Sequence, residues 1–424
     1  MKKMDYQNVK GTQDYLPEAE ILRRKIRRTL EDLFIQYGCK PLETPILNYA
    51  ELLASKYGGG AEILEEMYTL SDRGERNLAL RYDLTIPFAK VVAMNPTIRM
   101  PFKRYEIGKV FRDGPIKAGR FREFTQCDVD IVGVESQIAE AELMQMAFDA
   151  FKKLDMDITI QYNNRKLLTG ILEASETPSE KINKVVLILD KLEKVGLEAV
   201  LSELEEQGLP SSTVTFIKQF LTNGNNACYR YFDQYLEKSE QLKQGLAELK
   251  ELEEYLKFLG IDGECVFNPF LARGLEIYTG TIYEIFLMDK RIKSSIGSGG
   301  RYDNAIGGLI GSNESFSTVG ISFGLDVIYT AMSQLNERAE SDLDFYIIPI
   351  NTQKECLLLA KYLRDKGYKV ELELGSKKLG KALEKANKEK VKQVIIIGEE
   401  EVKKNVMKIK DMITGEERTE VIPF

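Results

Sequence analysis

Cations and hydrogen-bond acceptors are concentrated in one short stretch of this chain, on either side of a turn rich in glycine and proline. The cations are Arg112, Arg120 and Arg122, and the acceptors are Gln126, Asp128 and Asp130. A guanidinium group binds phosphate oxygens through paired hydrogen bonds and keeps its charge, so the arginines suit a polyphosphate. Alternation along a strand would place the acceptors on one face, where they suit a small cationic or hydrogen-bonding ligand. The alternative is an ordinary hairpin with solvated charges.

The pattern around these residues predicts a β-hairpin. Its first strand covers residues 105–111 and its second covers about 121–132, while Gly114, Pro115 and Gly119 mark the turn between them. Such a hairpin would hold the arginines at its mouth and the acceptors further along its second strand.

The composition is that of an ordinary globular protein, with 43% hydrophobic and 29% charged residues in a chain of 424. No apolar run approaches the roughly 20 residues that a membrane span requires, and the N-terminus lacks the apolar core of a signal peptide. We therefore expect a cytoplasmic protein without membrane contact. The five cysteines are scattered without zinc-ligand spacing, so we expect neither disulfides nor a metal site built by the protein.

The chain contains no histidine. This excludes a histidine general base, a histidine metal ligand and a nucleophile activated by histidine. Any chemistry must use carboxylates, arginine, lysine, tyrosine, bound ions or the substrate itself.

Helical and strand patterns follow one another irregularly in the first 335 residues. An amphipathic helix is predicted over residues 17–38, where apolar residues recur at helical spacing and Gly38 ends the run, and residues 41–47 are kept extended by Pro41 and Pro45. The other predicted strands are 66–70, 79–82, 158–162, 282–287, 291–296 and 318–323, and the other predicted helices are 86–94, 138–154 and 325–332.

Two regions differ from the rest of the chain in composition and in the spacing of their apolar residues. Residues 165–259 are rich in lysine, glutamate and leucine at helical spacing and nearly free of strand signals, which predicts a helical insertion. After a polar linker near 336–342, residues 343–424 alternate strand and helix, which predicts a small α/β domain with a mainly parallel sheet. Ser376 is a good N-cap for its lysine-rich second helix.

Four stretches resemble the histidyl-tRNA synthetases, a family of class II aminoacyl-tRNA synthetases. Residues 270–286 (FLARGLEIYTGTIYEIF) and 297–303 (GSGGRYD) are similar to the two signature segments of that family, residues 80–88 (LRYDLTIPF) to its amino-acid-binding loop, and the hairpin to motif 2. The resemblance implies a class II catalytic domain over 1–335, an α+β fold with an antiparallel sheet flanked by helices. It also implies that 165–259 is the helical insertion and that 343–424 is an anticodon-binding α/β domain.

The resemblance also implies roles for single residues. Arg112 and Arg273 would be the catalytic cations at the α-phosphate, and ATP would be bound by Arg112, Arg120 and Phe124. Histidine would be bound by Asp83, Leu84, Thr85, Arg112, Gln126, Asp130, Arg273, Ile277 and Tyr278. Asp83, Thr85 and Gln126 would hold its amino group, and Asp130 and Tyr278 its imidazole. The implied partners are ATP with Mg²⁺, histidine, tRNA(His) and a second copy of the chain. The two copies would pair through the helix at 17–38 and the extended segment 41–47, which resemble class II motif 1; the strand 318–323 and the helix 325–332 resemble motif 3.

Three positions depart from the family pattern. Ile277 replaces a tyrosine of the pocket wall, and Gly114 stands where motif 2 has a glutamate, so that this carboxylate is missing or shifted to Asp113. Val327 stands where motif 3 has the arginine that clamps the γ-phosphate. Arg120 and Mg²⁺ would have to replace that arginine in an active enzyme.

Two functions fit this sequence. The first is a histidine–tRNA ligase, which the retained substrate-facing residues, Arg112, Arg120, Arg273 and the C-terminal domain favour. The second is a non-catalytic paralogue that senses histidine or tRNA or acts as a regulatory subunit, which the loss of the motif 3 arginine favours.

Overall fold

The computed structural model describes residues 6–55, 61–116, 119–223, 229–272, 277–311, 315–334, 343–375 and 378–423. The chain forms two units, residues 1–336 and 337–424. The predicted linker at 336–342 and the predicted N-cap Ser376 lie outside the described residues. No helix within those ranges is long and apolar enough to cross a membrane.

The first unit combines helices with two sheets. Its helices are α1 (Pro17–Gln36), α2 (Ala50–Leu53), α3 (Ala61–Glu66), α4 (Thr85–Met94), α5 (Ile138–Lys153), α6 (Arg165–Ala174), α7 (Ile182–Leu189), α8 (Leu192–Val195), α9 (Leu197–Glu206), α10 (Ser211–Asn223), α11 (Arg230–Asp233), α12 (Glu240–Leu259), α13 (Asn304–Leu309) and α14 (Leu325–Ser333). Its strands are β1 (Lys40–Pro41), β2 (Leu47–Tyr49), β3 (Thr69–Ser71), β4 (Asn77–Leu80), β5 (Phe102–Phe111), β6 (Glu123–Val132), β7 (Ile158–Asn164), β8 (Cys265–Phe267), β9 (Thr281–Leu287), β10 (Gly297–Arg301) and β11 (Thr318–Gly324).

The larger sheet of this unit has eight strands in the order β1-β5-β6-β11-β10-β9-β7-β8. Its neighbouring strands are antiparallel except at the two edges, where β1 is parallel to β5 and β8 is parallel to β7. Strands β5 and β6 form the predicted hairpin, paired from Phe102–Val132 to Phe111–Glu123. The smaller sheet has the order β2-β4-β3. The predicted fold class, an antiparallel sheet flanked by helices, is confirmed.

Helix α1 covers one face of the larger sheet. Its apolar residues recur at helical spacing, and Ile26, Leu30 and Phe34 are fully buried in the core that also contains Tyr105 and Cys127 of the hairpin. Because side chains alternate along a strand, the neighbours of these hairpin residues point to the opposite face. That opposite face carries the polar side chains that the sequence singled out.

Two predicted strands are wrong. Residues 291–296 form a connection of turns and bends, and the strand is the glycine-rich β10 that follows. Glycine weakens a strand unless another backbone approaches closely, and here a Cβ on Gly299 would lie 2.1 Å from the carbonyl oxygen of Gly320 on β11. Residues 66–70 are not one strand either, because Glu66 ends α3 and β3 begins only at Thr69.

The helical segment predicted between β7 and β8 contains α6 to α12. Helices α6 and α12 pack with their backbones in contact. A Cβ on Gly170 would lie 2.3 Å from the backbone nitrogen of Leu242, and a Cβ on Gly245 would lie 2.4 Å from that of Leu167. Larger residues at either glycine would force the two helices apart.

The second unit follows the predicted alternation of strands and helices. Its elements are β12 (Phe345–Ile350), α15 (Gln353–Asp365), β13 (Val370–Leu372), α16 (Leu379–Lys388), β14 (Gln393–Gly398), α17 (Glu399–Lys403), β15 (Val406–Asp411) and β16 (Glu417–Val421). The strand order is β13-β12-β14-β15-β16, with the first three strands parallel and the last two added as an antiparallel hairpin.

Candidate active site

A cavity lies on the face of the larger sheet opposite α1, over strands β6, β11 and β10. The start of α4 and residues 277–278 complete its wall. Its lining residues are Asp83, Thr85, Asp128, Asp130, Ile277, Tyr278, Ser298, Gly299, Gly300, Tyr302, Gly320, Ile321 and Ser322.

Glycines in β10 and β11 provide the space for this cavity. A Cβ on Gly320 would lie 2.1 Å from Oδ1 of Asp130, and a Cβ on Gly300 would lie 2.9 Å from the ring of Tyr278. Side chains at these positions would displace the groups that line the cavity. The glycine-rich segment 297–303 is therefore the floor of a site.

Asp130 is buried and held by two side chains. Its Oδ2 lies 2.6 Å from Nη2 of Arg104, and the hydroxyl of Tyr302 donates a hydrogen bond to its Oδ1. Burial raises the pKa of the Asp130 carboxyl, and the Arg104 cation opposes that rise. Both oxygens of Asp130 thus have a partner before any ligand binds.

Asp83 lines the cavity and also caps α4. The backbone N–H groups of Thr85 and Ile86 each donate to its Oδ1 at 3.1 Å, as at a helix N-cap. Burial raises the pKa of Asp83, while these two donors and the Arg112 cation lower it. The cap fixes this carboxylate at the cavity wall.

Two acceptors on β6 have neither a hydrogen bond nor an ion pair among the residues that the structure describes. Oδ2 of Asp130 also lacks a well-aligned hydrogen bond, but the Arg104 cation holds it at 2.6 Å. Gln126 donates from Nε2 to Oγ of Ser322 at 3.0 Å, but its Oε1 has no hydrogen-bond partner there. The same holds for Oδ1 of Asp128, which is buried. Burial raises the pKa of Asp128 to about 8. Because a buried acceptor without a donor is costly, both atoms suit the N–H groups of a ligand.

The structure brings together most of the residues predicted to bind the amino acid. Those that line the cavity are Asp83, Thr85, Asp130, Ile277 and Tyr278. Leu84 is fully buried and Arg112 lies outside the lining, while Gln126 is joined to the lining through Ser322. Arg273 lies outside the described residues.

Arg112 and Phe124 lie at the mouth of the hairpin, beside the cavity. The Nε of Arg112 donates to the carbonyl oxygen of Tyr82 at 3.0 Å, and its guanidinium carbon lies 5.2 Å from the centre of the Phe124 ring. Burial lowers the pKa of Arg112, and the Asp83 carboxylate opposes that change. A half-buried cation beside an aromatic face suits a ligand that carries both an anion and a planar ring.

The other two arginines of the mouth have acidic partners. Arg122 is paired with Asp113, with 2.9 Å between Nη2 and Oδ1, and is thereby neutralised within the hairpin. Arg120 is half exposed, and its Nη2 lies 3.3 Å from Oε1 of Glu66. Of these three arginines, Arg112 has no ion pair within the described ranges and Arg120 has a longer, half-exposed one, so these two are better placed than Arg122 to meet an anionic ligand.

Comparison with known proteins decides the family. A profile described as histidyl-tRNA synthetase matches residues 11–328, and an anticodon binding domain profile matches residues 344–422. The chain belongs to the histidyl-tRNA synthetase family. It is 58% identical to "Histidine--tRNA ligase 2" of Shouchella clausii (strain KSM-K16), an alignment that covers 100% of both chains. The predicted family resemblance is confirmed.

Solved structures support the same assignment of fold. The crystal structure of histidyl-tRNA synthetase from Nostoc sp. PCC 7120 matches with a TM-score of 0.85 at 28% identity, covering 99% of this chain and 97% of that one. An ATP phosphoribosyltransferase regulatory subunit/histidyl-tRNA synthetase from Bacillus halodurans C matches with a TM-score of 0.76, covering 94% of this chain and 99% of that one. Its identity to this chain is 19%, so that likeness concerns the fold alone.

The position where histidyl-tRNA synthetases have the motif 2 glutamate is Gly114, and a carboxylate from another element fills the space beside it. A Cβ on Gly114 would lie 2.4 Å from Oε1 of Glu66, the last residue of α3. The backbone also joins the two segments, because the N–H of Asp113 donates to the carbonyl oxygen of Glu66 at 2.8 Å. Asp113 itself is occupied by Arg122, so Glu66 is the carboxylate next to the gap.

Val327 stands at the synthetase motif 3 position that the hairpin turn contacts directly. A Cβ on Gly119 would lie 3.2 Å from Cγ2 of Val327 and 3.3 Å from its Cα, and Gly119 has a φ of +72°. Glycine therefore suits this point of the turn for both its conformation and its contact. A long side chain at 327 would require the turn to move.

Asp326, the residue before Val327, joins the elements that correspond to the three class II motifs. Its Oδ1 accepts hydrogen bonds from Tyr15, just before α1, and from Arg23 within α1. Its Oδ2 accepts one from the backbone N–H of Thr125 on β6 at 2.7 Å. The carboxylate is buried and thus fixes α14, α1 and the hairpin relative to one another.

Sequence reasoning missed several residues of this synthetase site. Tyr302 and Gly320 were not assigned a role, although Tyr302 lies in the signature segment 297–303 that the sequence did single out. Asp128 was recognised only as one of three acceptors on β6. Glu66 carried no local signal, since its proximity to Gly114 depends on packing between segments that are distant in sequence.

Proposed function

We propose that this chain is a histidine–tRNA ligase, which activates histidine with ATP and transfers it to the 3′ end of tRNA(His). The observation that carries the proposal is the cavity lined by Asp83, Thr85, Asp130 and Tyr278 beside a mouth that holds Arg112 and Phe124. An acidic, hydrogen-bonding pocket thus adjoins a cationic one, as the joining of an amino acid to ATP requires.

Recognition of histidine follows from the polar groups of the cavity. Asp83, Thr85 and the open Oε1 of Gln126 hold the α-ammonium group, and Asp130 and Tyr278 hold the imidazole. Ile277 and the buried Leu84 shape the apolar part of the wall. A pocket of buried acceptors rejects amino acids without matching N–H groups, because those acceptors would then be desolvated without a partner.

Activation requires the histidine carboxylate to attack the α-phosphorus, so that a carboxyl–phosphate bond forms and pyrophosphate leaves. Arg112 holds the carboxylate and the α-phosphate in line, and Arg273 adds a second cation for the charge that develops there. Phe124 stacks on adenine, and Arg120 releases Glu66 to bind the γ-phosphate. Positioning and charge neutralisation suffice for this step, so a chain without histidine can perform it.

Glu66 supplies the carboxylate that Gly114 lacks. Its Oε1 lies where a side chain at position 114 would begin, and Asp113 is occupied by Arg122. A carboxylate at this place can accept a hydrogen bond from the exocyclic amine of adenine. We therefore assign Glu66 to the ATP site.

Mg²⁺ is proposed to enter with ATP. Among the described residues no group of three or more acidic or cysteine side chains is arranged to hold a metal ion. A Mg²⁺ ion carried by phosphate oxygens needs only one or two protein carboxylates. When bound, it supplies charge neutralisation of the triphosphate.

The assembly is proposed to be a cytoplasmic homodimer that binds tRNA(His) with the help of its second unit. Ile46, Leu47 and Tyr49 are exposed apolar residues that follow α1 and β1, as a covered interface would require. Exposed Lys381 and Lys388 on α16 give the second unit cations for a phosphate backbone.

The deciding experiment is ATP–pyrophosphate exchange with each of the twenty amino acids, followed by aminoacylation of tRNA(His). A ligase exchanges with histidine alone and charges the tRNA. The alternative that the sequence left open, a non-catalytic sensor, is not favoured by the relatives, which are named histidine–tRNA ligases, and it predicts histidine binding without exchange. Absence of both exchange and histidine binding would contradict the two functions together.

A further inference from the structure

Asp128 has one oxygen in the cavity that neither a hydrogen-bond donor nor a cation holds, although Ser322 gives its carboxyl a hydrogen bond. It is buried, it lines the cavity, and its Oδ1 has no hydrogen-bond partner within the described ranges. Its cross-strand neighbours are Glu106 on β5 and Ser322 on β11. Glu106 is occupied, because Nη1 of Arg81 lies 2.7 Å from its Oε1 and the N–H of Thr44 donates to the same oxygen at 2.9 Å.

The adjacent aspartate on the same face is in a different state. Asp130 uses one oxygen for Arg104 and the other for the hydroxyl of Tyr302. A ligand N–H group that approaches this part of the cavity therefore meets a committed carboxylate at Asp130 and an open oxygen at Asp128. The open oxygen can accept a new hydrogen bond without competition from an existing partner, whereas each oxygen of Asp130 already has one.

We propose that Oδ1 of Asp128 accepts a hydrogen bond from the imidazole ring of the substrate, which makes Asp128 a specificity-determining residue alongside Asp130. This inference rests on the proposed function, because it concerns the same histidine site. In this view Asp130 also acts as a positioning residue, which fixes Arg104 and Tyr302 around the ring.

The protonation states of Asp128 and of the substrate imidazole should make histidine binding depend on pH. The charged and titratable groups around Asp128 are Arg104 and Glu106 on β5, Asp130 on β6, Asp83 before α4 and Tyr302 after β10. Burial raises the pKa of Asp128 to about 8, so the carboxyl of the empty pocket is protonated at neutral pH. A free imidazole loses its proton near pH 6.5.

In the complex the imidazole ring and the Asp128 carboxyl share one titratable proton, which sits either on the carboxyl group or on the ring as imidazolium. From about pH 6.5 to about pH 8 the free partners bring one proton between them, carried by the carboxyl group. At lower pH both the free ring and the carboxyl carry a titratable proton, so one proton must be released to the solvent when histidine binds. Above pH 8 the partners bring none, and one must be taken up. Histidine affinity should therefore be highest in the window and fall on both sides.

The experiment is calorimetric titration of the full chain with histidine between pH 5.5 and 9, for wild type, Asp128→Asn and Asp155→Asn. Asp155 is exposed, and its φ of +54° suits asparagine, so Asp155→Asn is a matched control that should bind as wild type does. Asp128→Asn should lose at least about tenfold in affinity at pH 7.5, because its amide can still accept a hydrogen bond but cannot pass a proton to the ring and become its anionic partner. The variant should also lose the part of the fall in histidine affinity above pH 8 that comes from deprotonation of Asp128.

A ring analogue separates recognition from a structural role. β-(2-Thienyl)alanine has the same backbone groups and a ring without N–H, so the wild type should prefer histidine strongly and Asp128→Asn should narrow that preference. In pyrophosphate exchange the variant should raise the KM for histidine and leave the KM for ATP unchanged. If Asp128 had only a structural role, the substitution would weaken the binding of both histidine and ATP.

The inference is overturned if a folded Asp128→Asn protein binds histidine within twofold of wild type and keeps the decline above pH 8. If that variant fails to fold, the wild type still decides, because a histidine affinity that is flat from pH 7 to 9 contradicts the proton count. Failure of the proposed function looks different, since the wild type would then show neither histidine binding nor exchange.

Discussion

At position 114 the family pattern has a glutamate, and here the carboxylate beside that position is Glu66 of another segment. Position 114 has no side chain, and the space beside it is filled by the end of α3, which a backbone hydrogen bond from Asp113 holds in place. Val327 is the second departure: the family has an arginine at this position, and here the hairpin turn lies against the valine. Both departures lie outside the lining of the cavity, in the region that we propose for the nucleotide.

Glu66→Gln tests the first departure. The amide keeps the size of the side chain but is a weaker acceptor and loses the charge opposite Arg120, so the KM for ATP should rise by about tenfold while the KM for histidine stays the same. Steady-state pyrophosphate exchange measures both constants. The adjacent and exposed Glu65→Gln is the control and should behave as wild type. An unchanged KM for ATP in Glu66→Gln would remove Glu66 from the nucleotide site.

Val327→Arg tests the second departure, with Val327→Met as its uncharged control. Both larger side chains push on Gly119, so both should disturb the turn to a similar degree. Only arginine adds a cation for the γ-phosphate, so its KM for ATP should be several-fold lower than that of Val327→Met. Equal values for the two variants would mean that the site has no use for a cation at this position.

Among the elements, α1, the hairpin and α14 are held together at one buried carboxylate. Asp326 accepts hydrogen bonds from Tyr15, Arg23 and Thr125, which lie in three separate segments. Apolar packing of α1 against the sheet would tolerate small sliding, whereas a carboxylate with three donors has one geometry. The junction thus sets the position of the hairpin strand that carries Gln126 and Asp128.

Asp326→Ala should therefore destabilise the first unit. It leaves the buried Arg23 without its closest counter-charge and frees the N–H of Thr125, which together cost about 3–5 kcal/mol. Urea unfolding followed by circular dichroism measures the loss. Glu253→Ala breaks an exposed pair with Lys257 on α12 and should cost less than about 1 kcal/mol. Equal losses of unfolding free energy in the two variants would contradict the proposal that Asp326 holds α1, the hairpin and α14 together.

At the scale of the whole molecule, the exposed apolar residues after α1 form a patch that the proposed contact with a second copy would cover. Ile46, Leu47 and Tyr49 are 41%, 46% and 59% exposed, although they follow a helix that is well packed on its inner side. Burying such a patch in a symmetric contact between two copies removes apolar surface from water.

We expect sedimentation at micromolar concentration to give twice the 48.3 kDa mass of one chain. Leu47→Asp should shift the protein towards monomer, because a carboxylate in an apolar interface loses its hydration without a partner. Leu357→Asp, a substitution of an exposed leucine in the second unit, should leave the mass unchanged. A wild-type monomer under these conditions would contradict the homodimer.

The sequence by itself determined the hairpin, the long helices, the helical insertion, the alternating C-terminal unit and the family. These features rest on local signals, namely the period of apolar residues, the glycines and prolines of turns, and short motifs with fixed spacing. The same signals put Asp83, Thr85, Asp130 and Tyr278 on one expected site, and the fold does bring them to one cavity.

Only the tertiary structure decided which of these groups is already occupied. Asp128 and Asp130 look alike in the sequence, and their difference arises because Arg104 and Tyr302 reach one carboxylate and not the other. Likewise, β10 is a strand because neighbouring backbones approach its glycines, and Glu66 meets Gly114 because α3 packs against the hairpin. Such contacts join segments far apart in the chain, and no local pattern of residues encodes them.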